Sequence, residues 1–227
     1  CPKGMNDEYA YLDSSMKSFN FYFAPLLPDD YRESGLKVYI EDMLAKKKKS
    51  AIGIESGGVG NNLFRGFTPT FFKKTIGVTL VDHREEDEKE EDYFKNKELL
   101  MNHKVIEGNL LSKNLHIDIE KELKGQKVDF IVERMLAGKK LLPQDINTLM
   151  RTLKFWYKIL DEDGVMFVES PKEFKPLLAE WDSMITNKYS EVIDFSSKYN
   201  LFRLQKLKGA PEELPALDLE NINHTEN

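Results

Sequence analysis

The sequence predicts an α/β domain: a doubly wound, mostly parallel seven-stranded sheet with helices on both faces and an antiparallel hairpin at its C-terminal end. Three observations predict it. Short, near-continuous apolar runs recur from residue 50 onward, as strands buried on both faces require. Amphipathic stretches of helical period separate them. The last two strand-like runs alternate in polarity and are joined by a short polar turn around Lys198 to Asn200, too little chain for a parallel crossover.

The elements follow in order. Ala51-Ile52-Gly53-Ile54 is a first strand that stops at Glu55 and a glycine cluster. Thr75-Ile76-Gly77-Val78-Thr79-Leu80-Val81 is a second, stopping at Asp82, and His103-Lys104-Val105-Ile106-Glu107 is a shorter third. Val128-Asp129-Phe130-Ile131-Val132 and Gly164-Val165-Met166-Phe167-Val168-Glu169 are the fourth and fifth. Between them, residues 87–101 form one helical pattern. Residues 143–160 form another, with Ile146, Leu149, Leu153, Trp156, Tyr157 and Leu160 on one stripe, Pro143 in the first turn and Asp163-Gly164 as the stop. Pro171 opens a helix carrying Phe174, Leu177, Leu178, Trp181 and Ile185. The closing hairpin pairs residues 190–195 with residues 201–206. These helical stripes read as core packing rather than ligand contacts.

A chain of 227 residues suits one well-buried domain. The expected division is an aromatic-rich helical cap over residues 1–49, the α/β domain over 50–208 and a flexible, unpacked tail over 209–227. The aromatics Tyr9, Tyr11, Phe19, Phe21, Tyr22, Phe23 and Tyr31 either pack on the sheet or form a lid over a bound acceptor. No apolar run is long enough to span a bilayer and no signal peptide is read, so no membrane association is expected. A single cysteine, Cys1, provides no disulfide, no thiolate cage and no positioned nucleophile, and fits a reducing, cytoplasmic setting. The histidines at 83, 103, 116 and 224 lack ligand spacing, so no metal site is expected. A net charge of −6 argues against a nucleic-acid partner, because phosphate contacts need a basic surplus. The run Lys46-Lys47-Lys48-Lys49 reads as a solvated helix end, and the acidic run over 85–92 as a wet helix start.

Chemistry concentrates at Glu55-Ser56-Gly57-Gly58-Val59-Gly60-Asn61-Asn62, where a buried strand turns toward a helix. Glycines there let a backbone approach a ligand closely. A dinucleotide fingerprint does not fit, since Leu63 stands where its third glycine belongs. Glu55 is moreover a poor neighbour for a pyrophosphate. A carboxylate at that strand tip suits a phosphate-free cation instead, and S-adenosylmethionine, with its sulfonium and ammonium, has that chemistry. Asp82, at the tip of the second strand, has the placement that accepts hydrogen bonds from ribose hydroxyls; its bland alternative is a helix cap.

The succession of Ile52 to Gly60, Val81-Asp82, Ile106-Glu107-Gly108-Asn109-Leu110, Val128 to Ile131 and Leu160 to Val168 resembles the ordered motifs of the class I S-adenosylmethionine-dependent methyltransferases, a Rossmann-like superfamily. The closing hairpin resembles that family's antiparallel last strand, and the resemblance covers about residues 50–207. It implies that Glu55, Ser56, Gly57, Gly58 and Gly60 surround the amino-acid part of the donor, and that Asp82 holds the ribose. His83, Gly108, Asn109 and Leu110 then border the adenine, while Glu133 and Arg134 line the acceptor pocket. Two departures stand out: Val59 and Asn61 replace the middle and last glycines of the loop, and Asn109 replaces an aspartate. Gly66 and Pro69 are expected to cut short the helix after the loop.

Methyl transfer is an in-line displacement driven mainly by proximity. A hydroxyl acceptor would need a base, for which Glu133 and His83 are candidates. Glu133-Arg134-Met135-Leu136 is not the Asn/Asp-Pro-Pro-aromatic signature of amine and amide methylation, and cytosine C5 chemistry would need a cysteine. The expected function is methyl transfer to a small-molecule or protein acceptor. The alternatives are a non-catalytic binding or scaffolding domain of the same fold, and another adenosine-ligand enzyme on a related fold.

Overall fold

The computed structural model describes residues 16–47, 50–82, 84–86, 102–134 and 146–216. Seven strands form one sheet: β1 (Ala51–Ser56), β2 (Phe72–Thr79), β3 (His103–Glu107), β4 (Val128–Glu133), β5 (Leu160–Glu169), β6 (Ile193–Lys198) and β7 (Leu201–Lys206). Their order is β3-β2-β1-β4-β5-β7-β6. β7 alone runs against the others, pairing antiparallel with both β5 and β6. The doubly wound, mostly parallel sheet closed by a hairpin is therefore observed.

The reason is visible in β1 and β4, which are buried at every position. Such strands must be covered on both sides, and the core splits accordingly. Ile54, Ile76, Val78, Ile131, Met166 and Val168 face one cluster, packed by α4 (Lys113–Leu123), α5 (Ile146–Ile159) and α6 (Lys175–Tyr189). Phe130, Val132, Val165 and Phe167 face the other, packed by α1 (Met16–Phe23), α2 (Gly35–Ala45) and the single turn α3 (Asn61–Phe64). Phe23 and Tyr39 meet Phe167 at ring separations of 5.2 and 6.3 Å. The helix following the glycine loop ends after four residues, before Gly66 and Pro69 as expected. No helix among the described residues is long and apolar enough to cross a membrane.

Three expectations change. Helix α5 ends at Ile159, one residue short of the expected Leu160, but the fifth strand, expected to begin at Gly164 after an Asp163-Gly164 stop, begins at once at Leu160. Asp163, at φ 64°, lies instead in a bulge between the Val128–Leu160 and Phe130–Val165 pairs. Lys47, read as part of a solvated helix end, reaches under the sheet to Asp129 and Asp161 at 3.2 and 2.9 Å. Asp129 in turn accepts the Ile52 amide at 2.8 Å, so it needs that cation nearby. The segment after Gly209, read as unpacked, is anchored through Ala216: Leu214 is buried, Tyr157 Oη donates to the Pro211 carbonyl, and Trp181 Nε1 to that of Pro215. A Trp N–H and a Tyr hydroxyl at the edge of a core need acceptors, and backbone carbonyls of the passing chain supply them. The expected helix over 87–101 lies outside the described residues.

Candidate functional site at the carboxyl end of the sheet

From β1 the chain winds outward to β2 and β3, then returns to β4 and β5 on the other side of β1. At such a reversal, neighbouring crossovers part and leave a crevice beyond the carboxyl ends of the strands. Most sequence-predicted residues stand there. Ser56 pairs with Glu133 in the β1–β4 register, and the Arg134 amide donates to the Ser56 carbonyl at 3.1 Å. Across β2 and β3, the Gly108 amide donates to the Thr79 carbonyl, which brings the turn holding Asn109 and Leu110 beside the end of β2. His83 lies outside the described residues.

The loop itself is folded back over β2. The Gly57 and Gly58 amides both donate to the Val78 carbonyl, at 2.8 and 3.2 Å. Gly57 and Gly60 have φ of 98° and 83°, conformations that justify glycine at both places. Val59 presents its carbonyl to β2 so closely that a Cβ on Gly77 would lie 2.0 Å from that oxygen. His103 Nε2 bonds the same carbonyl at 2.7 Å, while its Nδ1 meets Thr75 Oγ1 at 2.8 Å.

Glu55 lies beneath this loop. It is 1% exposed, and a Cβ on Gly58 would fall within 3 Å of its carboxyl atoms. Burial pushes the carboxyl up to about 7, against the opposing charge of Arg134 and a hydrogen bond from the Gly60 amide. Its Oε2 and the Ser56 hydroxyl are buried and make no hydrogen bond among the described residues. A native structure rarely leaves buried polar atoms unpaired.

The other predicted residues are already engaged. Both Asp82 oxygens are held by the Arg84 guanidinium, Nε at 3.0 Å and Nη2 at 2.8 Å. The Asn109 side-chain carbonyl accepts the Leu111 amide within its own turn, and Leu110 is buried. Glu133 is fully buried and accepts the Trp156 indole N–H at 3.2 Å. Arg134, expected to line an acceptor pocket, is buried against aromatic rings of α1, 4.8 Å from the Phe19 centroid and 5.1 Å from that of Tyr22. Aromatic faces attract a guanidinium, and α1 supplies two of them at the end of β4.

Sequence reasoning missed Gly77, His103 and Arg84. Gly77 carried a signal, since a glycine inside a β-branched run marks a close backbone approach. His103 acts through partners that only the folded chain brings near, whereas Arg84 lies two residues from Asp82, the carboxylate it holds.

A strand order of 3-2-1-4-5-7-6 with only the seventh strand reversed decides the architecture. This is the class I methyltransferase fold. No protein-family model and no curated protein sequence matches the chain. Among solved structures, the MycE methyltransferase of the mycinamycin biosynthetic pathway, in complex with Mg and S-adenosylhomocysteine, is similar at a TM-score of 0.50 and 12% identity, over 93% of this chain and 55% of that one. The N-methyltransferase NodS from Bradyrhizobium japonicum WM9, bound to S-adenosyl-L-homocysteine, gives 0.46 and 12% over 90% and 97%. An rRNA methylase from Streptococcus thermophilus gives 0.45 and 14% over 76% and 98%.

Proposed function

We propose that the protein is an S-adenosylmethionine-dependent methyltransferase acting on a small-molecule or protein acceptor. The observation that carries this reading is the pair of buried atoms without a hydrogen-bond partner among the described residues, Glu55 Oε2 and Ser56 Oγ, at the reversal point of a methyltransferase-type sheet. Leaving such groups unpaired costs roughly 1–3 kcal/mol each, a cost that a ligand bearing an ammonium group relieves. A pyrophosphate would bring a second anion to a carboxyl that already resists ionisation.

When bound, the donor supplies an electrophilic methyl group on a sulfonium. The chain's part is to hold it. Glu55, Ser56 and Gly60 serve the amino-acid end. Gly57 and Gly58, whose amides are spent on Val78, give room rather than donors. Asp82 takes the ribose hydroxyls on the lone pairs that Arg84 leaves, since a carboxylate offers about four acceptor positions. His83, Gly108, Asn109 and Leu110 border the adenine. Glu133 and Arg134 close the acceptor side, and Glu133 or His83 takes the proton of a hydroxyl acceptor.

The Arg84 fork on Asp82 favours a second reading, a non-catalytic domain of the same fold whose ribose carboxylate is permanently satisfied. Titration calorimetry with S-adenosylmethionine, S-adenosylhomocysteine and NAD separates the two. Saturable binding of the first two without NAD is expected. A folded chain that binds neither sulfur compound would leave the scaffold reading standing.

A further inference from the structure

The geometry points to His103 as a positioning residue for the donor loop: its imidazole holds the Val59 carbonyl over β2 and so fixes the path of residues 57–60. The inference rests on the donor site proposed above, and deepens it. The Val59 oxygen is an acceptor only, so His103 Nε2 is the donor across the 2.7 Å contact. In the neutral ring Nδ1 is then the acceptor, and Thr75 Oγ1 donates to it at 2.8 Å. Thr75 and His103 are paired residues of adjacent strands, so the sheet register itself aims the ring.

The other side of the contact is equally constrained. The Val59 carbonyl lies on Gly77, where any side chain would collide with it. The same loop is tied to β2 by the Gly57 and Gly58 amides on the Val78 carbonyl. The imidazole also packs under Gly60, where an added Cβ would meet His103 Cε1 at 2.8 Å. The glycine missing from the middle of the loop at position 59 is thus offset by one in the strand below and by a histidine that grips the backbone. Because the grip is on a carbonyl, it is indifferent to the Val59 side chain.

The test uses His103→Leu, which deletes the donor, and His103→Gln, whose amide N–H can reach the position of Nε2. Two readouts are taken: amide hydrogen exchange, and calorimetric affinity for S-adenosylhomocysteine. In His103→Leu, exchange of the Gly57 and Gly58 amides should quicken by about tenfold, the factor that one net hydrogen bond represents, while the Ile52 and Ile54 amides keep their protection. Affinity should fall by a similar factor, and His103→Gln should restore both. Nitrogen NMR of the wild-type ring should show the Nε2–H tautomer. Unchanged loop exchange in His103→Leu overturns the proposal whether or not the ligand binds. So does equal loss of protection in loop and strand, which would mean a general structural role. A wild-type chain that binds no S-adenosylhomocysteine, yet whose loop amides respond, upholds the grip and sinks the donor reading instead.

Discussion

Glu55 is unfavourable for the fold as a charged side chain, and under the proposed function that same carboxyl serves the donor. Its carboxyl is ordinary, near 4.5, in the unfolded chain and about 7 in the folded one. The folded state therefore holds a proton that the unfolded state has released throughout that interval. Stability falls as pH rises from about 4.5 to 7 and levels above it, a loss approaching about 3 kcal/mol for this group. Glu55→Gln removes the titration while leaving an oxygen for the Gly60 amide. We expect the variant to match the wild type in urea denaturation at pH 4 and to exceed it by about 2–3 kcal/mol at pH 8. Equal stability of the two at pH 8 would show that the carboxyl is not desolvated. The same substitution should weaken S-adenosylmethionine binding, the trade between stability and function that buried site charges commonly show.

At the scale of elements, most of the fold was legible. The central strands β1 and β4 announce themselves because burial on both faces demands unbroken apolar runs, the edge strand β3 only weakly because it buries no residue fully, and the hairpin because its linker is so short. Element ends were less legible: no local signal places the α5–β5 junction between Ile159 and Leu160, since β5 begins there only by pairing Leu160 with Val128. At the site, the identity and clustering of Glu55, Ser56, Glu133 and Arg134 could be read, but not their burial. That burial depends on contacts remote in sequence, Gly77 under Val59 and Phe19 against Arg134. Gly77→Ala tests the strand–loop contact directly. Its Cβ meets backbone atoms of Val59 at 2.0 and 2.2 Å, which no rotamer change relieves. A loss of about 3 kcal/mol or expulsion of the loop is expected, by analogy with overpacked cores. Thermal unfolding and S-adenosylhomocysteine binding should both suffer. A variant with wild-type melting and affinity would mean that the loop does not lie on β2.

Across the whole molecule, the first and last described segments are tied to the rest by polar contacts rather than by apolar area alone. Arg203 on β7 forks Asp194 at 2.7 and 2.9 Å and donates its Nε–H to the Leu26 carbonyl, binding the segment after α1 to the far side of the sheet. After β7, Pro211, Leu214 and Pro215 bridge α5 and α6. Ending the chain at Lys208 strips the Tyr157 hydroxyl and the Trp181 indole of their acceptors and uncovers the Leu214 site. One buried leucine contributes about 1.5–3 kcal/mol and each hydrogen bond about 0.5–1.5, so the truncation should lower stability by roughly 2.5–6 kcal/mol. Leu214→Ala, which keeps both hydrogen bonds, should lose about 2 kcal/mol. The difference between the two measures what the bonds to Trp181 and Tyr157 contribute. The segment over 210–216 and the glycine loop over 57–60 act on different elements, the first on α5 and α6 and the loop on β1 and β2. Truncated protein that stays folded should therefore bind S-adenosylhomocysteine as the full chain does. An affinity loss without unfolding would instead reveal coupling through α5, where Trp156 holds Glu133 beside the residue that the tail anchors.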